Sequence, residues 1–462
     1  MTESGSFLPT GAERDMPLRR LIGPWQASSV VMGMVVGAGI FRSASFVGSA
    51  LGSASAVYAA WTIGGIVALI GALCYAELSS AFPHPGGDYR FLKEAYGDTI
   101  AFLFAWSRFA VIFTASAAML AFVGTDYLGE MIPMDGTARA ILAGTLVVAL
   151  SAINLRGLRT SARSEVVFVL LDVVALLAVG GAALWLTLQG GVGHHPASGS
   201  YRTPDFGVAM VYVMLAYGGF NDAATLSAEV RRPRDMTRAL IGGMSAVTAL
   251  YLVANWAYLQ VLGSAGLATS DAPAAAVMLA VFGRTGETIM VAAVGLATMA
   301  VLNALLIVGG RTLYAAAADT PGLERLAGWD LSRGVPRAAI LLQTVITLLL
   351  IVWGALTPTG FATMVDYMSP VYWLFLTLSA LAVPILRRKR PAAVRPYRMP
   401  FALLLSAIFA GVALYILRAS VVHVGPIGAL TSFGTIVIGL VARWILHRYA
   451  ARRDAREGAC VH

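Results

Sequence analysis

The chain has 462 residues, of which 58% are hydrophobic and only 12% charged, with a mean hydropathy of +0.75. Soluble domains carry roughly twice that charged fraction, so a soluble globular fold is excluded and a chain threaded repeatedly through a membrane is indicated. The net charge of +9 does not point to nucleic acid, because the basic residues sit in short connections between apolar runs, where they set topology.

Taken in order, residues 1–24 form a polar tail without the apolar core and cleavage site of a signal peptide. Runs of roughly 20 apolar residues then predict twelve membrane-spanning helices. They lie near 28–51, 56–81, 99–125, 138–154, 165–188, 206–228, 239–262, 287–317, 337–356, 361–386, 401–419 and 425–446. Of the 33 basic residues, 27 fall in the tails and one set of alternate connections, and 5 in the opposite set; Arg108 lies inside span three. The positive-inside rule therefore puts both termini in the cytoplasm, which requires an even number of spans. The two cysteines, Cys74 and Cys460, make no disulfide framework.

The first span is interrupted. Val31 to Ser45 reads VMGMVVGAGIFRSAS, with Gly33, Gly37 and Gly39 near the middle of the run. Each glycine costs a helix about 1 kcal/mol relative to alanine. Backbone groups freed at mid-membrane are tolerated only beside protein or a water-filled cavity. The same device returns in span six at Tyr217-Gly218-Gly219-Phe220. Spans one and six run in opposite directions, as inverted repeats of five spans require, and paired breaks of this kind mark transporter binding sites.

Broken helices offer N–H groups suited to a carboxylate and carbonyls suited to an ammonium. A zwitterionic α-amino acid presents both. The N–H groups of Gly37, Ala38 and Gly39 are candidates for its carboxylate, and the carbonyls of Val35, Leu215 and Ala216 for its amine. The alternative for the glycines, Gly33 above all, is close packing between helices.

VVGAGIF in span one, CYAELSSAFPHPGGDY closing span two and LAYGGFNDAATLSAEVRRPRDMTRA in span six resemble the amino acid–polyamine–organocation permeases, most closely the L-type amino acid transporter branch. Asn303, Arg311 and RPYRMP (Arg395 to Pro400) also look like that family. The resemblance implies an all-α fold of twelve transmembrane helices: a LeuT-like 5+5 inverted repeat with broken helices one and six, plus two extra helices. The chain then divides into an N-terminal tail (1–24), a first repeat (25–190), a second repeat (191–390), helices eleven and twelve (391–447) and a C-terminal tail (448–462). It also implies α-amino acid substrates held by main chain at the two breaks.

Three positions depart from the family pattern. Ala38 replaces a serine, keeping the N–H donor but losing a hydroxyl. Leu215 stands where the L-type branch usually has a gating phenylalanine, giving a smaller apolar lid. Asp172 in span five stands where sodium-independent relatives carry a lysine.

Asp172 lies about eight residues inside its span, roughly 12 Å along the helix. It reads as a proton-coupling group, as a cation ligand, or as the partner of an arginine such as Arg108. Val308-Gly309-Gly310 in span eight offers no hydroxyl for sodium, which favours protons. Asp222, just past the second break, either faces the substrate or caps the following half-helix. Asn221 is a candidate lining residue, and Tyr217 and Phe220 either flank the ligand or pack. Glu77, Glu229 and Asn303 read as gate or structural residues. His194-His195 reads as a solvated loop rather than a metal site.

No HExxH, phosphate loop or serine–histidine–acid arrangement suggests catalysis, and no cofactor or metal is expected. The expectation is a multi-pass permease of the cytoplasmic membrane carrying amino acids, most plausibly with protons. The alternatives are an ion-independent exchanger or a non-transporting amino acid sensor. The loop between spans three and four contains no cysteine, so the disulfide that tethers animal relatives to a heavy chain is not expected there.

Overall fold

A computed structural model describes residues 23–37, 39–84, 86–157, 162–191, 204–224, 227, 230–318, 320, 322–330 and 335–459. Ala38, Glu229 and His194-His195 lie outside the described residues. Fifteen α-helices follow one another, and no strand occurs among the described residues.

The first predicted span is two helices, α1 (Pro24–Val35) and α2 (Gly39–Leu51), bent by 43° at the glycine-rich turn. Then follow α3 (Ala54–Ala81), the short α4 (Asp88–Tyr96), α5 (Asp98–Ser107) and α6 (Thr114–Gly129), with a π-helical turn at Arg108–Phe113 joining the last two. Next come α7 (Gly136–Leu155), α8 (Ala162–Leu188), α9 (Phe206–Ala216) and α10 (Phe220–Ala223). The chain closes with α11 (Pro233–Thr269), α12 (Pro273–Ala318), α13 (Arg337–Ala355), α14 (Gly360–Lys389) and α15 (Ala402–Ala459). Local chemistry sets the starts. Asp135 and Asp205 accept from the amides of Ala138 (2.7 Å) and Val208 (2.9 Å), capping α7 and α9, and Pro233 opens α11.

Among the described residues nine helices are long and apolar enough to cross a membrane, and ten when α1 and α2 count as one bent span. Two physical reasons separate this count from the expected twelve. The helix expected over 206–228 stops at Ala216 after 11 residues, because Gly219 turns the chain with φ +104°. The two helices expected over 401–446 run into one element, α15, broken at Gly425 with φ +68°.

Packing sorts the helices into two groups. α1 and α2 pack with α3, α9 and α11, while α6, α7, α12 and α13 pack with one another. α8 lies against both α11 and α12. Gly33 makes the α1–α8 contact possible: a Cβ there would stand 2.2 Å from Val169 Cγ2. That glycine serves close packing.

Candidate functional site

The two breaks meet. A Cβ placed on Gly219 would stand 2.1 Å from the Met34 carbonyl oxygen and 3.3 Å from Val35 Cα. On the other side of the contact, a Cβ on Gly39 would lie 4.0 Å from Ala216 Cα. Two main-chain turns can approach this closely only because neither carries a side chain where they touch. Gly37 has more room, its nearest neighbour being Val301 on α12 at 4.0 Å. Asn303, partly buried, lies two residues further along that helix.

One side chain spans the contact. The Tyr251 hydroxyl, fully buried on α11, lies 2.9 Å from the Val35 carbonyl and 3.1 Å from the Ala216 carbonyl. The Leu215 carbonyl accepts from the Gly218 amide at 3.0 Å. All three carbonyls proposed for an amine thus have a protein donor. Each carbonyl oxygen accepts two hydrogen bonds, and the single hydroxyl hydrogen serves one carbonyl at a time, so capacity for an ammonium remains. Tyr217 turns away from the breaks, donating to the Trp61 carbonyl at 3.1 Å and packing on Trp61 and Tyr251. Phe220 packs between Tyr75 and Phe409. Both aromatics are core.

Beyond the second break lies a small cavity with both polar and apolar walls. The Asn221 side-chain oxygen accepts from the Gly219 amide (3.3 Å) and the Tyr372 hydroxyl (3.2 Å), while its amide nitrogen donates to Asp222 Oδ1 (3.2 Å). The same Asp222 oxygen takes a charge-assisted bond from Arg108 Nη2. Arg108 sits in the π-helical turn, with its guanidinium 5.5 Å from the Phe104 ring centroid and 4.8 Å from that of Phe113. Arg108 therefore pairs with Asp222 and is not the partner of Asp172.

Asp88, at the start of α4, closes the same cavity. Its Oδ1 accepts from the Tyr75 hydroxyl at 2.5 Å and the Ser379 hydroxyl at 2.8 Å. Burial pushes this carboxyl up to about 6, against the pull of the Tyr75 hydrogen bond and the Arg108 charge.

Asp172 is 2% exposed on α8, one helical turn past Val169, and its Oδ1 has no hydrogen-bond partner among the described residues. It lies within electrostatic reach of Tyr251, the residue that bridges the breaks. Two ionic clusters lie away from the breaks. Arg42 on α2 contacts Asp126 (3.3 Å), Asp271 (2.8 Å) and the Ser270 carbonyl (3.2 Å), and Arg139 joins Asp126 at 3.1 Å. Near the end of α3, Glu77 takes two bonds from Arg387 (2.8 and 2.6 Å) and one from the Met399 amide (2.8 Å).

The structure brings Val35, Gly39, Ala216 and Gly219 into contact and joins Asn221 to Asp222. Glu77 stands apart from them. Tyr251, Arg108, Tyr372 and Asp88 were not singled out as site residues from the sequence. Tyrosines in apolar spans are common and nothing marks Tyr251, whereas Arg108 is a basic residue well inside a span, which is itself a functional signal.

A model of the family described as "Amino acid permease" matches residues 22–452. The chain is 28% identical over 400 residues to the human large neutral amino acids transporter small subunit 2, covering 83% of this chain and 72% of that one. It is 27% identical over 402 residues to the human b(0,+)-type amino acid transporter 1, covering 83% and 79%. With the mouse Asc-type amino acid transporter 1 it shares 27% identity over 447 residues, covering 94% and 83%. The chain belongs to the amino acid permease family of the amino acid–polyamine–organocation superfamily and is most similar to its L-type branch.

Proposed function

We propose that the protein is a secondary active transporter that carries α-amino acids across the cytoplasmic membrane by proton-coupled symport with alternating access. The observation that carries this reading is the contact of the two helix breaks, where a Cβ on Gly219 would stand 2.1 Å from the Met34 carbonyl oxygen. The ammonium would take a carbonyl lone pair at Val35, Leu215 or Ala216, and the carboxylate the amides at Gly37, Ala38 and Gly39. Gly218 and Gly219 let the second turn lie against the first with no side chain in the way.

Twelve spans follow if α9 and α10 form one broken span and Gly425 divides α15 into two. The packing of spans one, two, six and seven together, and of three, four, eight and nine together, supports a 5+5 repeat, because each group pairs helices five apart. The Arg42 cluster would close the outer end and the Glu77 cluster the cytoplasmic end, with both termini cytoplasmic. Asp172 is the coupling group in this reading: protonated, it stays buried on α8 within electrostatic reach of Tyr251; ionised, a carboxylate so buried must draw in a donor or water. The cysteine-free loop between spans three and four fits a single-subunit transporter without a disulfide-linked heavy chain.

Proteoliposomes loaded at neutral pH and placed in acidic buffer test this with a panel of labelled amino acids. The reading expects accumulation above equilibrium that an ionophore abolishes. Asp172→Asn should retain exchange of labelled for unlabelled substrate but lose acid-driven accumulation. Unchanged accumulation in that variant removes the proton role from Asp172. Counterflow without net uptake in the wild type makes the protein an exchanger, and binding without flux makes it a sensor.

A further inference from the structure

The cavity beyond the second break has a composition that follows from the Arg108–Asp222 pair. Resting on the transport reading above, we propose that this cavity receives the substrate's side chain and that the Arg108–Asp222 pair selects neutral side chains that both donate and accept hydrogen bonds, a carboxamide above all.

The placement comes first. Asn221 and Asp222 lie two and three residues past Gly219, at the turn where the two breaks touch. An amino acid held at the breaks by main chain therefore has its side chain next to these two residues. Their far wall is Arg108 from the π-helical turn and Tyr372 from α14. In this conformation only about 20 Å³ stays open, room for one water. A side chain enters only when the Arg108 wall and the second break move apart, so the ion pair must part or share its bonds.

The charge argument decides what enters. A guanidinium has five N–H donors in a fixed fork, and one nitrogen of Arg108 is committed to Asp222. Phe104 and Phe113 hold its plane, and its side chain is only 9% exposed. The Asp222 side chain is 35% exposed. The pair thus shows the cavity a donor on one wall and an acceptor on the other, and while Asp88 is protonated, below about pH 6, the three groups together carry no net charge. A carboxamide matches both: its oxygen accepts from Arg108 and its NH₂ donates to Asp222. A side-chain carboxylate would face Asp222 and Asp88 together. A side-chain ammonium would face the Arg108 guanidinium, a like charge held near the Phe104 and Phe113 rings. An aliphatic side chain could lie against Ile112, Phe375 and Leu376, but it would separate the pair and leave Arg108, only 9% exposed, without its counter-ion, which is costly. The asymmetry is strongest for polar analogues, because a site built of buried donors and acceptors rejects a ligand that lacks them.

The test is uptake, at an outside pH of 5 that keeps Asp88 protonated, of labelled glutamine, leucine, glutamate and lysine into proteoliposomes by wild type, Arg108→Ala, Asp222→Ala and the exchanged pair Arg108→Asp with Asp222→Arg. Wild type should take up glutamine at least tenfold better than leucine, and both charged amino acids more poorly still. Asp222→Ala leaves the cavity positive and should raise glutamate relative to glutamine by tenfold or more; Arg108→Ala should do the same for lysine. The exchanged pair, which restores neutrality if either single variant folds poorly, should restore the wild-type order. Leucine equal to glutamine in wild type overturns the proposal. So does an unchanged order in well-folded single variants, or an exchanged pair that favours a charged substrate. A wild type that moves none of the four overturns the transport reading itself, and this proposal with it.

Discussion

Gly219 stands so close to Met34 that a single added carbon would lie 2.1 Å from the Met34 carbonyl oxygen, and no side chain fits between the two breaks. Gly219 also holds φ at +104°, where an L side chain is strained by about 1–2 kcal/mol. Gly219→Ala therefore combines that strain with an overpacking cost of about 1–3 kcal/mol. Gly52 provides the control, since its φ is +67° but nothing lies within 4 Å of a Cβ there. Gly52→Ala should show the backbone strain alone. Melting temperatures in detergent check this, and equal losses in the two variants would sink the argument for contact.

The hydroxyl of Tyr251 is the donor shared by the Val35 and Ala216 carbonyls. Tyr251→Phe leaves both buried carbonyls without it, at a cost of about 1–3 kcal/mol. Substrate should relieve part of that cost, because its ammonium supplies the missing donors. The expected outcome is a lowered melting temperature in the empty variant and a smaller deficit at saturating substrate. A deficit that substrate leaves untouched would show that these carbonyls do not meet the ammonium.

Asp88 lies outside the membrane-spanning segments and has its carboxyl raised to about 6. The folded protein binds that proton more tightly than the unfolded chain, whose carboxyl titrates near the model value of 3.8. The stabilisation is fully present below about 4 and is lost as pH rises through about 6, amounting to about 3 kcal/mol at most. Wild type should therefore lose stability between about pH 4 and 6 relative to Asp88→Asn, which has no proton to lose. Parallel melting curves for the two proteins across that range would contradict it.

Glu77 joins α3 to the end of α14 and to the 395–399 connection through Arg387, Arg395 and the Met399 amide. Its side chain is 3% exposed while that of Arg387 is 35% exposed, so solvent relieves part of the loss when the pair is broken. Glu77→Gln should destabilise by about 1–3 kcal/mol, less than a fully buried pair would. If the cluster also closes one end of the transport path, cysteines placed at Ser379 should react faster with a polar thiol reagent in Glu77→Gln than in the parent. Equal labelling rates would restrict Glu77 to a structural role.

The membrane class, the family, and the places where helices one and six break are written in single residues. Apolar runs of about 20 residues have only one stable environment, and the glycines at 37, 39, 218 and 219 weaken a helix wherever they fall. α1 ends at Val35 and α9 at Ala216 for that local reason. Which residues complete the site was not local. Tyr251 reaches across 216 positions of chain to Val35, and Arg108 across 114 to Asp222. Sequence offered Arg108 as a partner for Asp172, and only the packing of the π-helical turn against the second break gave it Asp222 instead and left Asp172 Oδ1 without a hydrogen-bond partner among the described residues. Periodicity reports which face of a helix is apolar; it carries no information on which distant helix that face meets. That pairing is decided by how fifteen helices fill one volume together.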